Sequence, residues 1–223
     1  MSYTFQFADI WAARWDLLWG TWLTIRLAAL SMVLSLLFAT LGAFLRMIGP
    51  RPVRMAITAY VELVRNTPFL VQIYIIYFGI PSVGIRLDPN TAALVAMVLN
   101  GSAYAIEIIR AGIESVARGQ LEAAQALGLG RGQTFRDIVL PQALRNVLAP
   151  LESQFILLLL ASSVVSAIAA NELTAVAHHI SSETYRSFEA YITAAVIYVA
   201  LTLMFSAVFA LINKVVFGKL DRK

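Results

Sequence analysis

The chain predicts an all-α membrane protein with five transmembrane helices, the N-terminus outside and the C-terminus in the cytoplasm. Three observations carry that expectation. Hydrophobic residues make up 60% of the 223 and charged residues only 13%, with a mean hydropathy of +0.76, whereas a soluble domain is usually about one quarter charged. The apolar residues gather into five long runs. The basic residues gather at alternate ends of those runs.

The runs are roughly 17–45, 55–80, 92–113, 151–170 and 191–212. Each supplies the ~20 residues that a helix needs to cross the hydrocarbon core, and the first is long enough to tilt within it. Backbone groups in lipid must bond within their own segment, so the runs are expected to be helices. Arg46, Arg51 and Arg54 follow the first run; Arg110, Arg118, Arg131, Arg136 and Arg145 lie in or beside the third connection; Lys214, Lys219, Arg222 and Lys223 follow the last. The other connections hold only Arg86 and Arg186, and the N-terminus only Arg14. Cytoplasmic loops carry the Lys/Arg excess, which sets the orientation. It also accounts for the net charge of +4 without nucleic acid as a partner.

Residues 1–16 read as an interfacial segment, with Phe5, Phe7, Ile10, Trp11 and Trp15 at the outer leaflet. Asp9 and Asp16 stand where a cleavable signal would be basic. Residues 17–215 form one transmembrane domain, with a loop at about 114–149, and 216–223 form a cytoplasmic tail. No internal repeat is visible, which argues against an inverted-repeat secondary transporter.

Composition narrows the chemistry. There is no cysteine, which excludes disulfides, thiolate nucleophiles and Cys-ligated metals. No Gly-x-x-x-x-Gly-Lys-Ser/Thr and no His-Glu-x-x-His occurs, so neither a phosphate loop nor a zinc protease site is expected. His178-His179, with Glu172 and Glu183 nearby, lacks metal-ligand spacing and reads as a solvated loop.

The third connection is the polar exception. A short helix is expected over 114–127, stopped by Gly128, Gly130 and Gly132, because glycine supplies the left-handed residue that closes a helix. A second short helix is expected over 135–140, starting from Gln133 or Thr134. Pro141 then falls in the first turn of the next span, where its missing N–H costs nothing.

Polar side chains at membrane depth usually face a bundle interior or a water-filled cavity. The candidates for a solute path are Asn66, Thr67 and Gln72 in the second run, Asn100, Ser102 and Tyr104 in the third, and Gln154, Ser162, Ser163 and Ser166 in the fourth. Serines also serve close helix packing. Glu107, Arg110 and Glu114 share a helix face and are expected to pair. Arg26 is expected to snorkel or to pair with Glu62.

Glu122-Ala123-Ala124, three residues, Gly128, nine residues, then Ile138-x-Leu140-Pro141 resembles the EAA loop of type I ABC importer permeases. The stretch from Tyr60 through Arg65 to Thr67-Pro68, the stretch from Ala103 to Gln120, and Glu172-Leu173 are similar to elements of the polar amino acid branch (histidine, glutamine and opine permeases). The likeness runs over about 20–215. It implies five helices with the N-terminus outside. It also implies a permease subunit, not an enzyme, of a polar amino acid importer in the bacterial inner membrane, with opines as the neighbouring alternative. A secondary transporter or channel is the reading from another class.

The implied partners are two cytoplasmic ATPase subunits, a second permease subunit (identical or homologous), a periplasmic or surface-tethered solute-binding protein, and the bilayer. ATP and Mg would sit on the ATPase, with no cofactor in this chain. Glu122, Ala123, Ala124, Gly128, Ile138, Leu140 and Pro141 would couple the loop to the ATPase. Many relatives carry Lys-Asp-Thr-Ser-Leu in the fourth span. Here Leu160-Ala161-Ser162-Ser163-Val164 stands instead, so no deep carboxylate is left for a cationic side chain.

Overall fold

A computed structural model describes residues 3–217 and is helical throughout its ordered elements. The helices are α1 (Ala8–Ala12), α2 (Arg14–Ile48), α3 (Arg51–Arg65), α4 (Phe69–Tyr74), α5 (Pro89–Glu114), α6 (Arg118–Ala126), α7 (Arg131–Gln133), α8 (Leu140–Ala161), α9 (Leu173–Thr184) and α10 (Ser187–Phe217). Among the described residues, four stretches are long and apolar enough to cross a bilayer: Arg14–Ile48, Pro89–Glu114, Arg131–Ile168 and Ser187–Val215. Most of the 216–223 tail, including Lys219, Arg222 and Lys223, lies outside the described residues.

The second span differs from the sequence expectation. The apolar run at 55–80 is not one straight helix. Arg51–Arg65 and Phe69–Val83 meet at a bend of 111°. Pro68 sits at the break; it has no N–H to continue the helix and disfavours a helical residue before it. Beyond α4 the chain widens into a π turn at Ile75–Gly79, tightens into a 3-10 turn at Ile80–Val83, and stops at Gly84 with φ +88°.

The core follows from small residues on facing helices. Ala28, Ser31, Ser35, Ala39 and Ala43 line one face of α2 and are buried. Ala92, Ala96, Ala103 and Ala105 on α5 are buried as well, and α2 packs along α5. Lipid gives no hydrophobic drive between helices, so close approach of small residues and dispersion must hold them. Ser35 Oγ donates to the Val98 carbonyl across this seam at 3.2 Å. The opposite face of α2 exposes Val33, Leu37, Phe38, Leu41 and Phe44, as a lipid-facing surface should.

Gly112 marks the crossing of α5 over α8. A Cβ there would collide with the Val147 side chain and lie 3.3 Å from the Ala143 carbonyl oxygen. Gly112→Leu is expected to destabilise the bundle by about 1–3 kcal/mol through overpacking. Thermal melting of the detergent-purified protein tests this, and an unchanged midpoint would show that the helices part there freely.

The two ends of the bundle are chemically different. At one end Arg46 of α2 pairs with Glu107 of α5 at 2.9 Å, Glu107 also pairs with Arg110, and Arg110 with Glu114. Asn146 of α8 donates to Ser115 Oγ at 2.8 Å. At the other end the Leu173 amide donates to Thr24 Oγ1 at 3.0 Å and the Asn171 amide to Asn90 Oδ1 at 2.8 Å. Gln6 and Tyr3 bind the buried Glu189 carboxylate. Arg26 lines a cavity with Asp88, Asn90 and Asn171, whereas Glu62 lines one with Arg46, Arg51 and Arg54. The two lie in different cavities, so the expected Arg26–Glu62 pair does not form.

His178 and His179 lie on helix α9, not in a loop. His178 Nδ1 meets the Tyr191 hydroxyl at 3.2 Å, and His179 faces Glu183 one turn on. Glu172 is the N-cap of α9: its carboxylate accepts from the Ala175 amide at 2.7 Å and from the Tyr198 hydroxyl at 2.6 Å. Burial pushes this carboxyl above its usual range, against the lowering effect of the Tyr198 bond. The Glu172-Leu173 element is thus a buried cap joining α9 to α10.

Candidate functional site

The loop between the third and fourth spans is built differently from the sequence expectation. Glu114 ends α5, and Ser115, Val116 and Ala117 separate it from α6. The short helix is therefore Arg118–Ala126, not 114–127. Gly128 alone closes it. Its φ is +76°; its amide donates to the Gln125 carbonyl at 2.9 Å, and the Leu129 amide donates to Ala124 at 3.0 Å. That pair of bonds is a Schellman closure. Gly130 is instead the N-cap of the following helix, its amide bound by Gln133 Oε1 at 3.1 Å, and Gly132 lies inside that helix.

No second separate helix forms over 135–140. The chain runs from Arg131 through a π turn at Thr134–Val139 directly into α8. Pro141 is therefore inside a continuous helix. A proline there removes one backbone bond and crowds the preceding turn, and the wide π turn before it makes room. Such turns recur at functional positions.

The loop is tied to the bundle and presents apolar side chains outward. Gln142 bonds Gln120 of α6 and donates to the Ile138 carbonyl at 2.9 Å. Ala124 of α6 is buried, while Glu122 and Ala123 are exposed and Ile138 is half-buried. Leu127, just before Gly128, is 80% exposed, and Phe135, Leu140 and Leu144 are exposed too. Glu122 carries no hydrogen bond or ion pair among the described residues. The loop is thus anchored to the bundle and carries on its outer side exposed leucines and a carboxylate unpaired among the described residues.

A second feature lies inside the bundle. Thr67, Phe69, Asn100, Tyr104, Gln154, Leu157, Leu158 and Ala161 surround a cavity of about 200 Å³. Gln72 stands behind it. Its Nε2 donates to the Val64 carbonyl at 2.7 Å, to the Thr67 carbonyl at 3.0 Å and to Thr67 Oγ1 at 2.9 Å. Its Oε1 accepts from Asn100 Nδ2 at 3.0 Å. The Val64 carbonyl would ordinarily be bonded by the amide four residues on, which is Pro68 and has none. Gln72 replaces that missing donor and holds the bend.

Gln154 is different: its amide has no hydrogen-bond partner among the described residues and lines the cavity. The cavity walls carry no carboxylate, and Ala161 stands in them. The Arg65 guanidinium lies 5.5 Å from the centroid of the Tyr104 ring.

Thr67, Asn100, Tyr104 and Gln154 are thus brought together, with Gln72 bonded to two of them. The other polar candidates lie elsewhere. Asn66 donates to the Glu62 carbonyl outside the cavity. Ser162 is fully buried and donates to the Leu159 carbonyl at 2.6 Å, Ser163 to Leu160 and Ser166 to Ser163. Each hydroxyl turns back to the carbonyl three residues earlier, along the 3-10 turn at Ser162–Ile168. Ser102 binds the Tyr60 hydroxyl at 2.7 Å. Sequence reading missed Arg65 over Tyr104. The spacing Val64, Pro68, Gln72 was the available signal for the clamp.

A family model described as binding-protein-dependent transport system inner membrane component matches residues 36–218. The chain belongs to that family. The L-cystine transport system permease protein TcyB of Bacillus subtilis (strain 168) is 37% identical over 221 residues, covering 95% of this chain and 93% of that protein. The glutamine transport system permease protein GlnP of Escherichia coli (strain K12) is 35% identical over 204 residues, covering 91% and 93%. A solved structure described as an amino acid ABC transporter with histidines superposes with a TM-score of 0.89 at 37% identity, covering 95% of this chain and 99% of that one.

As a member of the binding-protein-dependent family, the chain is a multi-pass permease subunit of an ABC importer, not a secondary transporter or channel. It works with an ATPase, which is a separate subunit, and with a solute-binding protein.

Proposed function

We propose that this permease imports a polar, neutral or zwitterionic amino acid across the bacterial inner membrane, with opine-like solutes as the neighbouring possibility. The observation that carries it is the cavity of neutral amides. Asn100 and Gln154 offer paired donors and acceptors, and the walls hold no carboxylate for a cationic side chain. Burying an unpaired cation there would cost several kcal/mol. The relatives named for cystine and glutamine support the same substrate class. Uptake by the importer complex in proteoliposomes tests it, with cystine, glutamine, octopine and lysine offered in turn. Cystine or glutamine should be taken up in preference to lysine and to octopine, whose side chain ends in a guanidinium; preferential uptake of lysine or octopine sinks the charge reading.

The orientation follows from charge. Arg46, Arg51, Arg54, Arg110, Arg131 and Arg145 belong to the end of the bundle that carries the Arg46–Glu107–Arg110–Glu114 network. An excess of that kind faces the cytoplasm. The Glu122–Gly128 loop then lies inside and the N-terminus outside. Ser82, Gln133 and Ser187 are exposed, and a chain without cysteine permits single replacements. In right-side-out cells, Ser82→Cys and Ser187→Cys should react with an impermeant maleimide and Gln133→Cys should not. External labelling of Gln133→Cys would reverse the topology.

Two permease subunits, identical or homologous, and two ATPase subunits complete the machine. ATP and Mg bind the ATPase. Glu122 and the exposed Leu127 seat in its cleft, and the rigid ties from Gln120 to Gln142 and from Ser115 to Asn146 pass its movement into α5 and α8. The ATPase can shift the permease only by binding its two states unequally.

A further inference from the structure

Arg51, Arg54, Thr58, Glu62 and Arg65 recur along one face of α3 at helical spacing. Arg51, Arg54, Glu62 and Arg65 are exposed and Thr58 is half-buried. The adjoining face is occupied: Val61 is buried, and Ile57 and Tyr60 pack on the core. Among the described residues no ion pair reaches Arg51, Arg54, Glu62 or Arg65. The upper part of this stripe does not lie at the membrane surface. Tyr60 donates to the Leu99 carbonyl at 2.5 Å, near the midpoint of α5, and Arg65 sits over Tyr104. Tyr104 is about 15 Å along the helix from Glu114, roughly half the hydrocarbon thickness. Charges at that depth face a bundle interior or water, not lipid.

The stripe is also continuous with the cavity. Tyr104 forms part of the cavity wall, Arg65 covers Tyr104, and Glu62, Thr58, Arg54 and Arg51 lead on to an open basic cleft of about 530 Å³ beside Arg46. We propose that this face of α3 walls a water-filled inward exit of the translocation path, whose arginines favour the carboxylate of the departing solute. Three guanidinium groups against one carboxylate give the passage a net positive wall. An amino acid leaving the neutral amides of Asn100 and Gln154 meets Arg65 first. This deepens the permease reading and rests on it, and its test needs no knowledge of the solute.

The test uses the whole importer in inside-out vesicles, with Thr58→Cys, Glu62→Cys and Leu63→Cys made singly. Leu63 is 67% exposed but lies off the stripe. An impermeant maleimide should label Thr58→Cys and Glu62→Cys at least about tenfold faster than Leu63→Cys, since only the stripe meets water. Equal rates at all three, or no labelling at either stripe position, overturn the passage: the face then lies in lipid or is sealed by the second subunit. On Thr58→Cys, an anionic methanethiosulfonate should outpace a cationic one relative to their rates on a free thiol, by roughly threefold or more in a focused positive field. Arg54→Gln with Arg65→Gln in that background should abolish the preference. Absence of any preference in the parent background overturns the carboxylate part. Failure of amino acid uptake in the proteoliposome assay would leave both labelling results unchanged, so the two readings fail separately.

Discussion

Gly128→Val is expected to abolish solute-stimulated ATP hydrolysis in the reconstituted importer while the permease still inserts into the membrane. The reason is conformational, not steric. Gly128 has φ +76°, and a Cβ there would meet nothing within 4 Å. For an ordinary L-residue that backbone costs about 1–2 kcal/mol, and a β-branched side chain makes it a genuine outlier. The Schellman closure would open, releasing the Gly128 and Leu129 amides from Gln125 and Ala124. Leu127, 80% exposed and adjacent, would then point elsewhere. A cost of that size changes the population of the native loop roughly 5- to 30-fold, enough to uncouple a docking surface that must be correct each cycle. The series should be graded, with Gly128→Asn near the parent because asparagine visits this conformation, Gly128→Ala intermediate and Gly128→Val worst. Parent-like stimulation with valine would remove Gly128 from the coupling path.

Hydropathy and charge made the class and four of the spans legible, because these depend on residue type and spacing alone. The bend was not legible that way. Residues 55–80 are apolar enough to read as one span; Pro68 breaks it, and Gln72 supplies a donor that the break leaves missing. Gly130 and Gly132 were misread with Gly128 for a related reason. Composition cannot say which glycine ends a helix and which begins one; the bonds from Leu129 to Ala124 and from Gly130 to Gln133 decide it. Pro141 looked like a helix start, since the π turn that admits it inside a continuous helix leaves no mark in the sequence. The polar candidates separated by chemistry. Amides at Asn100 and Gln154 reach the cavity, whereas Ser162, Ser163 and Ser166 turn back to their own backbone.

Gln72 and Gln154 are expected to fail in opposite ways, although both read as path residues in the sequence. Gln72→Leu leaves the Thr67 carbonyl and Asn100 Nδ2 without the bonds they now have, and the Val64 carbonyl with only the long bond from Thr67 Oγ1 at 3.4 Å. Each unsatisfied group away from water costs about 1–3 kcal/mol. For a chain of this size 1 kcal/mol moves the melting point by roughly 2–4 °C, so a fall on the order of 5–10 °C is expected, with transport lost because the bend relaxes. Gln154→Ala removes an amide that no group in the described chain engages, so melting should stay within about 2 °C of the parent. Its transport KM should rise roughly tenfold, the equivalent of about 1.4 kcal/mol of lost hydrogen bonding to solute. Asn100→Ala should show both effects, since its side chain joins Gln72 to the cavity. Melting in detergent and uptake in proteoliposomes separate these outcomes. A Gln72→Leu protein that melts like the parent but does not transport would make Gln72 a solute ligand and not a clamp. A Gln154→Ala protein with parent-like KM would move solute recognition out of this cavity and onto the second permease subunit.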